Sequence, residues 1–142
     1  MLIRATFMNA PSGTEIELPV ATQPEVETRD LPTTYDHASN WLCAWCLNLV
    51  ASECDRFQYE GRDEFTFSNP EGIRFEIITF SRTLGCRQTG KPTQEHTWFA
   101  GHTWSFCHCA ACGQHLGWYY TGPQDFVGLI RNRIVRAFLV RN

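Results

Sequence analysis

The sequence predicts a mainly β domain clamped by one metal ion, and three observations carry that expectation. Two Cys-x-x-Cys pairs, Cys43/Cys46 and Cys109/Cys112, supply four thiolates. Two residues between the cysteines let one tight turn present both sulfurs to the same tetrahedral Zn²⁺. From Trp41 onward, short runs rich in β-branched and aromatic residues alternate with turn residues, the pattern of antiparallel strands. Trp98, Trp104 and Trp118 fall in one stretch around the second pair and together suggest the walls of an aromatic pocket.

Composition narrows the function classes. With 142 residues and 43% hydrophobic content, the chain fits one domain with a modest core that zinc would supplement. A net charge of −3 and a pI near 5.9 leave no general basic field, so neither nucleic acid nor an anionic membrane is expected as a partner. No stretch approaches the length of an apolar membrane helix, and Met1 to Ala10 carries Arg4 and Asn9 where a signal peptide has its hydrophobic core. Seven cysteines, an odd count with two matched pairs, read as metal ligation plus three free thiols. That reading favours a reducing, cytoplasmic compartment, although a secreted chain freed of its signal would carry the same sequence.

Residues 1–40 read as an arm, extended or disordered in part, because Pro11, Pro19, Pro24 and Pro32 stand there among Thr, Glu and Asp. Two alternating runs within it, Leu2 to Phe7 and Glu15 to Leu18, are candidate strands. Residues 41–142 then form the zinc-binding ligand domain. Strands are expected over Arg56 to Glu60, Glu64 to Ser68, Ile73 to Phe80, Thr103 to His108 and Leu116 to Thr121, in a meander-like antiparallel sheet. Asn69-Pro70-Glu71-Gly72 has Pro second and Gly fourth, the residues of a turn joining two of these strands. Phe126 to Ile130 is a further strand, and Val127, Ile130, Ile134, Val135 and Phe138 recur at helical spacing, so a short helix is expected after it.

Four thiolates on one ion close its coordination and leave no open position for water, which points to a structural zinc. Cys107 shares a strand face with Cys109 and competes for the metal, but only Cys109/Cys112 has the knuckle spacing, and Gly113 after it tolerates the positive φ a knuckle requires. Trp41 and Trp45 sit in the first knuckle and are expected to cover the zinc. Any one tryptophan in a small β domain is most often core. Trp98, Trp104 and Trp118, beside Gly101, Gly117, Tyr119 and Tyr120, fit a cage for a flat or cationic ligand better. His96, His102, His108 and His115 lie in the same stretch without a Ser or Asp partner at a recognisable catalytic spacing. Cys54, Cys86 and Cys107 are nucleophiles by type only, and no catalytic residue is expected.

Two stretches carry a resemblance. Glu95-His96-Thr97-Trp98-Phe99-Ala100-Gly101-His102-Thr103-Trp104 and Cys109-Ala110-Ala111-Cys112-Gly113-Gln114-His115-Leu116-Gly117-Trp118-Tyr119-Tyr120 resemble the CULT domain family, the thalidomide-binding domain of cereblon. Ser68-Asn69-Pro70-Glu71-Gly72 and Phe126-Val127-Gly128-Leu129-Ile130-Arg131 match in the same order, so the resemblance spans residues 40–136. It implies a β-tent fold, two antiparallel sheets meeting at an angle and pinned by one structural Zn²⁺ on Cys43, Cys46, Cys109 and Cys112. It also implies a ligand cage of Trp98, Trp104 and Trp118 with Tyr120 at its base and Asn69 at its rim. Backbone groups of His96 and Trp98 and the His96 imidazole would hold a cyclic imide, with Thr97 between them among the ligand-binding residues. Ala100, His102 and Glu71 depart from the proline or lysine, tyrosine and histidine frequent in the family, changes at the rim that spare the cage.

The resemblance implies a non-enzymatic module for cyclic imides of the glutarimide or thalidomide type, uridine-like pyrimidines, or a modified peptide C-terminus ending in a cyclic imide. No ubiquitin-ligase scaffold is expected as a partner, because the Lon-like domain and helical insert of the vertebrate protein exceed the forty residues before Trp41. Two other classes compete. A thiol oxidoreductase on the zinc β-tent, related to methionine sulfoxide reductases, requires a reactive cysteine in the pocket. A reader of methyl-lysine or another quaternary ammonium requires acidic residues beside the tryptophans.

Overall fold

The computed structural model describes residues 38–140. The arm expected over 1–40, with its two candidate strands, therefore lies outside the described residues except for its last three. The described chain holds nine strands in two antiparallel sheets. They are β1 (Asn40–Cys43), β2 (Leu49–Ser52), β3 (Glu64–Ser68), β4 (Arg74–Phe80), β5 (Cys86–Thr93), β6 (Thr103–Cys109), β7 (His115–Thr121), β8 (Phe126–Ile130) and β9 (Ile134–Arg136). The larger sheet runs β3-β4-β8-β7-β6-β5, and the smaller runs β9-β1-β2. The order departs from a simple meander because β8 inserts between β4 and β7.

That insertion explains the composition of β8. All five residues of Phe-Val-Gly-Leu-Ile are buried, as a central strand covered on both faces requires. Val127 and Leu129 join Trp41, Cys43, Val50, Phe80, Cys109 and Leu116 in the core between the sheets. Phe126 and Ile130 face the opposite side, with Ile77, Phe99, Trp118 and Tyr120. The larger sheet is thus apolar on both faces, one covered by the smaller sheet and the other by an aromatic cluster.

A bulge sorts β7 between the two faces. Simple alternation would put Leu116 and Trp118 on the same side. The pairing slips by one residue between Cys107↔Gly117 and His108↔His115, so Leu116 enters the core between the sheets while Trp118 enters the aromatic cluster.

Two expectations are corrected, and one strand was missed. Arg56 to Glu60 is not a strand: a 3-10 turn at Glu53–Asp55 leads into isolated bridges Arg56↔Phe80 and Tyr59↔Arg62. The apolar repeat after Ile130 is not a helix: Ile134–Arg136 pairs with Cys43, Leu42 and Trp41 as the third strand of the smaller sheet, flanked by 3-10 turns. Strand β5 was not foreseen, since Cys-Arg-Gln-Thr-Gly-Lys-Pro-Thr shows no alternation of apolar residues. Its ladder to β6 breaks register between Thr89 and Thr93, around Gly90 at φ 85°. The turn at Asn69 to Gly72 forms as expected, with Asn69 Oδ1 accepting from the Glu71 and Ile73 N–H groups and Gly72 at φ 86°.

Candidate functional site

The two knuckles share one backbone design. In the first, Leu47 N–H donates to Cys43 O and Cys43 N–H to Asn48 O, both at 2.8 Å; in the second, Gly113 N–H donates to Cys109 O at 2.9 Å and Cys109 N–H to Gln114 O at 2.8 Å. The fifth residue of each adopts positive φ, 65° at Leu47 and 82° at Gly113. The turns bring the Cys43, Cys46, Cys109 and Cys112 sulfurs within 4.8 Å of one another. Cys43 lies 3.6 Å from Cys112 and Cys46 3.5 Å from Cys109. A tetrahedron with Zn–S bonds of about 2.3 Å has S···S edges of about 3.8 Å, so donors and spacing fit a single Zn²⁺.

The two buried thiols of the cluster are pushed in opposite directions. Burial pushes the Cys43 thiol up to about 12. At Cys109 burial acts in the same direction but is outweighed by N–H groups of Cys112 and Ala111, and by Cys46 and Asn48, which bring it down to about 6. The Asn48 amide reaches the Cys109 sulfur at 3.6 Å and Gly85 O at 3.0 Å, tying the cysteine cluster to the start of β5. Cys107 stays in the core between the sheets. Trp45 is 54% exposed, and Trp41 is core, with its indole N–H donated to Glu53; the expectation that this pair covers the zinc gives way to these two placements.

The pocket is built on the other face of the larger sheet. Phe99, 2% exposed, bolts the loop between β5 and β6 to that face through ring contacts with Tyr120 at 4.7 Å, Phe126 at 4.9 Å and Tyr59 at 5.0 Å. Its neighbour Trp98 is consequently fixed: the indole stacks on Phe67 at 5.0 Å and its N–H donates to Ser68 O at 3.1 Å. Trp104, on β6, donates its N–H to Glu95 O at 2.8 Å. Trp118, on β7, meets Trp98 edge-on at 5.0 Å. Between them lies a cavity of about 370 Å³ whose surface is predominantly apolar.

Of the residues singled out from sequence, Asn69, His96, Trp98, Trp104, Trp118 and Tyr120 line this cavity. Thr97 does not; its hydroxyl bridges to the Phe99 backbone. His96 is exposed at the mouth with φ 58°, a left-handed conformation that a non-glycine residue adopts at some cost and that recurs at functional sites. Phe75, Phe106, His115 and Pro70 complete the wall and were missed. Phe106 had a readable signal, since it stands two residues after Trp104 on one strand and so shares its face. No described cysteine lines the cavity.

The chain has relatives in sequence. The chain is 28% identical over 106 residues to protein cereblon of Gallus gallus, covering 63% of this chain and 24% of that protein. Cereblon of Xenopus tropicalis is 28% identical over 105 residues, and cereblon of Drosophila mojavensis 30% over 106, or 68% of this chain and 16% of that protein. The chain is a cereblon-like CULT-domain homologue. It spans about a quarter or less of the length of the curated cereblons it matches. No family model matches the chain.

Proposed function

We propose that this CULT-type domain is a non-enzymatic binding module for cyclic imides or imide-like rings: glutarimides of the thalidomide type, uridine-like pyrimidines, or peptide C-termini closed into an imide. The observation that carries the proposal is the 370 Å³ cavity walled by indole and phenyl rings. A flat ring fills such a box and buries its faces, while its polar edge requires a few placed partners. The indole N–H groups of Trp98 and Trp104 are already donated to main-chain carbonyls. Imide recognition therefore falls to the loop at His96 and Trp98, whose left-handed turn at His96 presents main-chain groups at the mouth. Zn²⁺ on the four cysteines is structural, since four protein ligands leave no position for water. We place the protein in a reducing compartment, where its thiols stay free for the metal.

Two observations weigh against the competing classes. A thiol oxidoreductase needs its cysteine in the pocket, and none of the described cysteines lies there. A methyl-lysine reader needs an acidic wall, and no carboxylate of the described residues lines the cavity. The test is calorimetric titration of the zinc-loaded protein with glutarimide, N-methylglutarimide, uridine and a trimethyl-lysine peptide. Methylation removes the ring donor and leaves a buried acceptor unsatisfied, which costs about 1 to 3 kcal/mol, roughly ten-fold to a hundred-fold in affinity. Equal affinity for glutarimide and its N-methyl derivative, or preference for the trimethyl-lysine peptide, would sink the reading.

A further inference from the structure

Arg133 stands behind the pocket wall and lines none of it. Its guanidinium donates from Nη1 to the His115 carbonyl at 2.9 Å and faces Nδ1 of the His115 ring at 3.4 Å. It also lies over the Phe75 ring, 5.9 Å from the centroid. His115 and Phe75 are two of the rings that meet Trp118 edge-on, at 5.1 Å and 5.3 Å, with interplanar angles of 80° and 81°. One side chain thus backs two of the partners that set the plane of the central indole. Arg133 is itself pinned by its main chain, whose carbonyl accepts from Ala44 N–H at 3.1 Å in the first knuckle.

The same contacts fix the state of His115. Its Nε2 lies 2.9 Å from Gly117 O, and a carbonyl only accepts, so Nε2 carries the hydrogen and Nδ1 offers its lone pair to Arg133. Both ring nitrogens are consumed, and the ring shows the cavity only its carbon edge and faces. The groups around it are Phe106 and His108 from β6, Trp118 and the Gly117 carbonyl from its own strand, and Arg133 from the turn after β8.

We propose that Arg133 is a positioning residue of the ligand pocket, which holds His115 as a neutral, non-donating wall and keeps Trp118 square to Trp98. The proposal rests on the ligand-binding reading above. Burial, then the charge of Arg133 and the neighbouring His108, hold His115 below the ordinary histidine range, against the opposing Gly117 hydrogen bond. Removing the guanidinium lets the ring charge more easily, and a charged ring resists the loss of water when an apolar ligand closes the cavity.

The experiment uses the zinc-loaded full chain with ¹⁵N-labelled histidines, in wild type, Arg133→Met and Arg133→Lys, with glutarimide as the probe. In wild type the His115 nitrogens report the neutral Nε2–H tautomer. In Arg133→Met its titration midpoint rises by about half a pH unit or more. Glutarimide affinity in that variant falls by about threefold or more between about pH 8 and pH 5.5, beyond any change in wild type. The double variant Arg133→Met, His115→Gln loses this added pH dependence. Arg133→Lys keeps a cation without the two-point reach and supplies a second folded variant. An unchanged tautomer and midpoint in a folded variant overturns the proposal, as does added pH dependence that survives His115→Gln. Wild type that binds no glutarimide overturns the ligand reading instead, and the proposal with it, whatever the nitrogen spectra show.

Discussion

Gly117→Ala places a methyl group where two strands touch. An ideal Cβ on Gly117 would lie 2.0 Å from Gly128 O, 2.9 Å from Leu129 Cα and 3.0 Å from the Gly128 carbonyl carbon. All three atoms are main chain, so no rotamer can clear the space. Ordinary contact requires β7 and β8 to part locally by more than about 1 Å, against the pairs Gly117↔Leu129 and Trp118↔Gly128 that hold them. Losing two ladder hydrogen bonds at about 1 kcal/mol each, with overpacking of about 1 to 3 kcal/mol, gives roughly 3 to 5 kcal/mol. That is a large share of the ~5 to 15 kcal/mol that holds a domain folded. Gly128→Ala is the internal control: its Cβ would meet Ile77 Cδ1 at 2.9 Å, the tip of a side chain that can turn away, for about 1 kcal/mol. The assay is urea unfolding followed by tryptophan fluorescence at fixed zinc. A loss below about 1 kcal/mol at Gly117, or a larger loss at Gly128, would refute the argument that main chain and not side chain is the obstacle.

Further outcomes follow from the same contacts. Metal analysis is expected to find one Zn²⁺ per chain, and Cys43→Ser or chelation to lower the melting temperature sharply, because β1 and the β6–β7 turn meet at the four clustered sulfurs; an unchanged melting curve would remove zinc from the fold. Leu47→Gly relieves a left-handed leucine that is 47% exposed and should raise stability, by less than about 1 kcal/mol once the looser unfolded chain is counted; a clear loss in urea unfolding would contradict the knuckle geometry. His115, held below its ordinary 6.5 chiefly by burial, leaves the unfolded chain binding more protons as pH drops. Its contribution is present above about 6.5 and lost as pH falls toward the folded value, so the urea midpoint should decline less below pH ~6.5 in His115→Gln than in wild type. Identical slopes would dismiss that linkage. Cys54→Ser, Cys86→Ser and Cys107→Ser should keep glutarimide affinity while folded, since none of these thiols lines the cavity; thiol-dependent reduction of methionine sulfoxide, lost in one of them, would favour the oxidoreductase.

The four-cysteine cluster was readable from sequence because its chemistry is local: a Cys-x-x-Cys turn carries its own geometry, whatever surrounds it. The three tryptophans were readable for the same reason, as one stretch of chain supplies them. Phe75 and His115 reach the pocket by other routes. Phe75 arrives on β4 because β8 pairs between β4 and β7, and His115 because the β7 bulge turns Leu116 inward and leaves Trp118 outside. Neither strand order nor bulge position is written in a period. The same limit explains β9, where Ile134 and Val135 fit a helical repeat yet pair with Cys43 and Leu42; long-range pairing overrode local spacing. In β5 the ladder to β6 organises Arg87 and Gln88, which carry no hydrophobic signal of their own.

The irregular course of β5 has a consequence beyond the pocket. A straight border strand would offer free N–H and C=O groups onto which another chain could zip. Here the outermost described strand of the larger sheet is interrupted at Gly90, where exposed Lys91 and Pro92 bring a charge and a residue without an N–H to that border. That interruption works against growth of the sheet from molecule to molecule on that flank. The domain can therefore be crowded or strung in tandem there with little tendency to polymerise by strand addition.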